Sequence, residues 1–264
     1  MYNVFLSGGG MKGAYQYGFF KELFRQYPNF PIKKVYAVSV GAINSVAIVT
    51  KRTSALDAFW CHPDIHPFDT IADDWDDFDG IEGSTKSSRR FRSLIKHGSI
   101  FKQMKRGPYE TFLNDMNETD MAILREKLVI ISYDKVSRTS LFTECTSVEQ
   151  IIDSIQSSSR FPGLFNAYGI DRVDGMFADI NHILHASHDS NDSPNDRWLC
   201  IDLQKSIKHP PNKSDVYSPC ISSIPGLNEV ACLLSNRIML DHLVQNGNRD
   251  AQSFIKKHEL YNLG

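Results

Sequence analysis

Two strand–turn–helix units packed into the first fifty residues constrain this fold more than any other feature of the chain. The apolar run Tyr2 to Leu6 reads as a buried strand, and Met11 to Gln26 as a helix with Tyr15, Gly18, Phe19 and Leu23 on one face. Pro28 and Pro31 break the chain, after which Lys33 to Ser39 reads as a second strand and VGAINSVAIVT as a second helix. Strand–helix units this close together require a parallel sheet with crossover helices. At 264 residues, 41% apolar and 23% charged, the chain is long enough to close such a sheet around a sizeable core.

Regular signals then lapse from Thr53 to about Pro108 and return with KLVIISYD (Lys127 to Asp134) and RTSLFTE (Arg138 to Glu144), two more strands of the same sheet. The segment SVEQIIDSIQSSS predicts a helix capped by Ser147, with Gln150 three residues on completing a capping box. HASHDSNDSPNDR and KHPPNKSD read as polar surface loops and WLCIDL as a buried strand. Asn228 to Gln245 predicts a closing amphipathic helix with Leu233, Leu234, Ile238 and Leu243 inward. The expected fold is therefore α/β, a mostly parallel central sheet with helices on both faces. It forms one domain over residues 1–264, with an irregular insertion at about 53–106.

Bulk properties exclude several classes. A formal charge of −2 argues against a dedicated nucleic-acid binder, and no nucleic-acid motif accompanies the local basic stretch. The five cysteines are scattered without C-x-x-C spacing, so neither a disulfide framework nor a zinc site is expected. No cofactor is expected. The acidic run Asp73 to Asp79 fails as an EF-hand, because counting back from Gly80 puts Trp75 at the first ligand position. Strand-like sequence begins at Tyr2, where a signal peptide would carry a basic and then an apolar region, and no run approaches a membrane span. The expected location is cytoplasmic.

Gly8 to Gly13 spells G-x-G-x-x-G between the first strand and the first helix, the pattern of a dinucleotide-binding turn. That reading demands an acidic residue at the end of the next strand to hold the ribose, and Ser39 stands there instead. A P-loop fails sooner, since Ala14 follows Gly13 where Lys is needed. A purely structural tight turn is the remaining alternative. The surroundings of Ser39 suggest another use. Ala37-Val38-Ser39-Val40-Gly41 has the strand–Ser–helix context of a nucleophile elbow, G-x-S-x-G, with Ala37 in the place of the first glycine.

Neighbouring parallel strands bring both turns to one sheet edge, where α/β proteins place their sites. Glycine N–H groups at a helix start then face a developing oxyanion as readily as a pyrophosphate. A serine nucleophile needs a base. His182, His185 and His188 cluster at a polar loop, His209 lies in a proline-rich loop and His242 on the closing helix, and none is singled out by its setting. Asp174-Gly175, shortly after SSSRFPGLF, is the other candidate, though Asp-Gly is also a generic turn.

In this order the three motifs resemble those of the patatin-like phospholipases. Gly8-Gly9-Gly10-Met11-Lys12-Gly13 matches the family's G-G-G-x-[Lys/Arg]-G loop throughout; Ala37 to Gly41 matches its elbow except at the first position. Asp174-Gly175-Met176 matches D-G-[Gly/Ala] except at the last position. GPYETFL and QSSSRFPGLF resemble further family segments, while FADINHI departs from the usual Asn-x-Pro at Ile180 and His182. The resemblance covers Met1 to about Arg52 and Gly107 to about Ile183. It implies a three-layer patatin-like domain with a Ser39–Asp174 dyad, needing neither histidine nor metal. It also implies an oxyanion hole formed by Gly8, Gly9, Gly10 and Met11, with Lys12, Gly13, Ala37, Gly41 and Gly175 supporting the motifs. The implied activity is hydrolysis of a phospholipid or other acyl ester through an acyl-enzyme. A non-catalytic lipid- or partner-binding module that kept the fold is the alternative, and the changes at Ala37 and Met176 are what it would show.

Between Lys86 and Arg106 there are eight Lys/Arg and no acid, interleaved with Phe91, Leu94, Ile95, Ile100, Phe101 and Met104. Two readings stand: peripheral contact with an anionic membrane, or a solvated face balanced by the acidic run Asp73–Asp79.

Overall fold

The computed structural model describes residues 1–61, 68–70, 101–104, 112–160, 171–181, 184, 196–220 and 237–258. Its strands are β1 (Tyr2–Leu6), β2 (Ile32–Val38), β3 (Phe68–Thr70), β4 (Phe101–Met104), β5 (Leu128–Asp134), β6 (Thr139–Glu144), β7 (Arg172–Asp174), β8 (Arg197–Ile201) and β9 (Ser214–Tyr217). Its helices are α1 (Gly13–Gln26), α2 (Val40–Val49), the short α3 (Asp57–Trp60), α4 (Glu118–Lys127), α5 (Val148–Ser158) and α6 (Arg237–Lys257).

The main sheet runs in the order β6-β5-β2-β1-β8-β9, with β7 also paired to β5. Its centre is parallel: β1 lies between β2 and β8, β5 joins β2, and β9 joins β8. Within this sheet only β6 and β7 run antiparallel to their partner β5. The two β-turn-α units of the sequence are thus β1–α1 and β2–α2. A 3-10 turn, Gly10–Lys12, precedes α1, so the helix proper begins two residues after Met11.

One face of the sheet carries the larger core, in which Val4, Leu6, Val35, Ala37, Ile130 and Ile201 meet buried residues of α1, α2, α4, α5 and α6. On the opposite face Phe5, Val38, Ile131, Trp198 and Cys200 are covered by Ala178, Ile180 and Leu184. This alternation along β1, β2, β5 and β8 is the period-two signature of strands buried on both faces. Helix α1 is buried almost all round because α6 lies across it. Their backbones meet at Gly18 and Gly247, where an added Cβ would run into Val244 O and Tyr15 O respectively. Tyr15 also donates to Asp250 of α6, 2.5 Å away.

Four local expectations are revised. Residues 53–60, expected to be irregular, are regular and dock on the core: a 3-10 turn, Thr53–Leu56, leads into α3, and Leu56, Phe59 and Trp60 are buried. Apolar residues at positions 56, 59 and 60 fall on one helical face, which is why the stretch docks. Ile238 is 69% exposed, not inward. It lies two residues from Leu240, hence about 200° round α6 from the stripe of Leu240, Leu243, Gly247 and Phe254 that packs inward. The closing helix also continues twelve residues past Gln245; Leu233 and Leu234 lie outside the described residues. Finally, Ser147 caps α5 through the N–H of Gln150, but the Gln150 side chain accepts from Thr146 N and Oγ1, one residue short of the expected box. A reciprocal capping box does occur at Asn117 and Asp120 of α4. Among the described residues, no helix is long and apolar enough to cross a membrane.

Candidate active site

Strand β2 ends at Val38, opposite Ile131 of β5. At the next position of β5, Ser132, the partner is Asp174 of β7. Two strands thus share one edge of β5, β2 leaving where β7 arrives. Ser39 and Asp174 meet at that junction: Ser39 Oγ donates to Asp174 Oδ2 at 2.6 Å, across 135 residues of sequence.

Ser39 turns the chain sharply from β2 into α2, with φ 57° and ψ −126°. A side chain in that left-handed region is strained and persists only where its surroundings dictate it. Gly41 permits the turn, because a Cβ there would strike the carbonyl oxygen of Leu6. Ala37, standing where a first elbow glycine was expected, is 0% exposed and points its methyl into the large core.

The backbone N–H of Ser39 donates to Ser158 Oγ at 2.8 Å, and Ser158 Oγ donates in turn to Ile131 O at 2.5 Å. Nothing in strand or helix periodicity singles out Ser158; its one sequence signal is its place in QSSSRFPGLF. Asp174 is buried, and its two carboxylate oxygens take the Ser39 hydroxyl and the Met176 N–H, the latter at 2.9 Å. Burial pushes its pKa up to about 7, and the two hydrogen bonds only partly offset that rise. Gly175 is required next to it, since a Cβ would meet Ile131 O at 2.5 Å.

The glycine loop lies on the other side of Ser39. A Cβ at Gly8 would come within 2.8 Å of Ser39 Cβ and would also overlap the Met176 thioether. Gly10 adopts φ 57°. The loop enters the Gly10–Lys12 turn and then α1, so the N–H groups of Gly9, Gly10 and Met11 stand at a helix start, where intrahelical acceptors run out, with Gly8 one residue before the cap. Lys12 Nζ donates to Leu203 O at 3.2 Å, tying the loop to the turn after β8.

Behind the loop is a buried polar network that sequence reasoning missed. Trp60 Nε1 donates to Asn44 Oδ1 (2.9 Å), and Asn44 Nδ2 donates to Gly13 O and Gln16 Oε1 (both 3.0 Å). Gln16 Nε2 then donates to Ser7 O (2.9 Å). Its members come from four separate elements, and no spacing in the sequence connects them.

The sequence-predicted Ser39, Asp174, Gly8 to Met11, Gly13, Ala37, Gly41 and Gly175 therefore converge. His209 and His242 are exposed, and His258 lies 2.9 Å from Asp215 at β9. His182, His185 and His188, and the acidic run Asp73–Asp79, lie outside the described residues, as does most of Lys86–Arg106. From that segment β4 pairs antiparallel with β3. Among the described residues, no group of three His, Cys, Asp or Glu could hold a metal ion.

A serine on a strained strand–helix turn, hydrogen-bonded to a buried carboxylate beside a glycine loop, defines the class of arrangement: an α/β sheet carrying a candidate Ser–Asp pair. Residues 4–186 match the Patatin family, described as patatin-like phospholipase, and the chain belongs to that family. Among solved structures it is similar to VipD from Legionella pneumophila, with 14% identity over 78% of this chain and 50% of VipD and a TM-score of 0.41. It is also similar to a chain of the heterodimeric ExoU–SpcU complex from the type III secretion system of Pseudomonas aeruginosa. There the identity is 14% over 97% of this chain and 51% of the other, with a TM-score of 0.49. The chain thus spans about half the length of each. No curated protein matches it.

Proposed function

We propose that the chain is a lipid acyl hydrolase of phospholipase A or esterase type, working through Ser39 and Asp174. The observation that carries this reading is the 2.6 Å hydrogen bond from Ser39 Oγ to the buried Asp174 carboxylate. Ser39 Oγ attacks the ester carbonyl carbon as its proton passes to Asp174. The tetrahedral oxyanion faces the N–H groups of Gly8 to Met11. On collapse the C–O bond breaks, and the leaving alkoxide takes the proton from Asp174. Water, deprotonated by the same carboxylate, then attacks the acyl-enzyme and releases the carboxylic acid. A carboxyl with its pKa near 7 suits both halves, since it gains and loses a proton close to neutral pH.

The substrate is an ester of a lipid acid, and the basic segment Lys86–Arg106 is the proposed contact with an anionic membrane surface, on the strength of its charge and interleaved apolar residues. The test is labelling with a fluorophosphonate probe followed by peptide mapping. Ser39 is expected to carry the label, Ser39→Ala to lose it, and hydrolysis of a short-chain ester to persist in chelator. An unlabelled Ser39 would leave the chain a lipid- or partner-binding module.

A further inference from the structure

We propose that Ser158 is a positioning residue of this site, holding Ser39 in the backbone conformation that aims its hydroxyl at Asp174. The inference rests on the reading of Ser39 as nucleophile. Ser39 sits at φ 57°, a conformation that side chains adopt only under constraint. One constraint is the pairing of Val38 to Ile131, and another is the close approach of Gly41 to Leu6 O. Neither acts on the N–H of Ser39 itself. Ser158 does, accepting it at 2.8 Å.

The Ser158 hydroxyl has a single proton, committed to Ile131 O at 2.5 Å. That fixes the direction of its lone pairs, and with them the orientation of the Ser39 peptide plane. Ile131 is the residue opposite Val38, so the two hydrogen bonds close a small ring through β2, β5 and the end of α5. Two residues further on, Arg160 O accepts the N–H of Asp174 at 2.9 Å. The end of α5 therefore grips the main chain of both partners. Ser158 is 0% exposed and cannot touch a substrate. Its influence passes through Ser39.

Removing the hydroxyl leaves the Ser39 N–H without its acceptor and frees the peptide plane to rotate. A displacement of Oγ by about 1 Å is enough to lower turnover roughly a hundredfold while leaving substrate binding alone. The test compares Ser158→Thr with Ser158→Val, which share shape and differ only in the hydroxyl, and adds Ser158→Ala. The readouts are kcat and KM on a soluble ester, the rate of fluorophosphonate labelling at Ser39, and hydrogen exchange of the Ser39 amide. Expected is a kcat for Val and Ala about a hundredfold below wild type at unchanged KM, with Thr restored to within about tenfold. Protection of the Ser39 amide should be lost in Val and Ala but kept in Thr. Thr and Val behaving alike in kcat and in exchange would overturn the proposal. Wild-type protein that fails to label at Ser39, with the amide still deprotected by Val and not by Thr, would sink the hydrolase reading while upholding the Ser158 restraint.

Discussion

Val38 and Asp174 occupy consecutive places along one edge of β5, Val38 opposite Ile131 and Asp174 opposite Ser132. They run in opposite directions, so the residue after Val38 and the side chain of Asp174 are delivered to the same point. The meeting of the two residues is therefore a product of strand pairing. The end of α5 then fixes their main chain, through Ser158 at Ser39 and Arg160 at Asp174.

The pH dependence of turnover follows from the burial of Asp174. A base must be ionised, and this carboxyl is half ionised at about pH 7. Hydrolysis of a soluble ester, measured as kcat/KM, is expected to rise through an acid limb centred near that pH. A limb centred near 4 would mean that the carboxylate works in water-like surroundings.

The same burial makes Asp174 a burden on stability. Its pKa is about 7 in the folded chain against 3.8 for an unperturbed aspartate, so between those values the native state binds more protons than the unfolded one. Stability from this group is present below pH 3.8 and lost as pH rises through 7, a loss on the order of 4 kcal/mol. Asp174→Asn should abolish turnover yet raise Tm relative to wild type at pH 8, with the advantage shrinking toward pH 4. Thermal melts across that range decide it; a Tm that falls equally at every pH would contradict the assignment.

Asn44 is expected to be the most sensitive point behind the glycine loop. It is fully buried and serves Trp60, Gln16 and Gly13 at once. Asn44→Ala leaves three buried polar groups without it, each worth about 1–3 kcal/mol. The predicted loss is about 4 kcal/mol in urea unfolding, equivalent to a Tm drop of roughly 10 °C. A loss below about 1 kcal/mol would show that the network is dispensable.

Replacing Arg89, Arg90 and Arg92 by Gln is expected to weaken binding to anionic vesicles, each basic residue near the surface contributing about 1 kcal/mol. Low salt should make the effect clearest, and hydrolysis of a soluble ester should stay unchanged. Vesicle binding that ignores the three substitutions favours the solvated face balanced by Asp73–Asp79.

The parts of the site that the sequence revealed are those whose geometry forces a residue type within a few positions. Gly8 to Gly13 and Ser39 to Gly41 stand out because sharp strand–helix turns need small residues, and Asp174-Gly175 because a close turn needs glycine. What stayed hidden depends on partners distant in sequence. Ser158 reaches Ser39 across 119 residues, and Asn44 reaches Trp60 and Gln16 from another element. Ile238 failed differently: its spacing from Leu234 suits one face, but Leu240 and Leu243 place the buried stripe elsewhere on α6. Periodicity read over too few turns cannot choose between two candidate stripes.

Strand β7 has three residues, paired to β5 at Ser132, Tyr133 and Asp134, and it follows β2 by more than 130 residues of chain. The chain thus carries Ser39 at a distance of 135 residues ahead of the carboxylate that completes the pair. A chain stopped short of residue 174 has the serine without Asp174 beside it. On the hydrolase reading, lipid-cleaving power is switched on only when this short strand docks. The pair is then completed by the last of the site's elements to be synthesised.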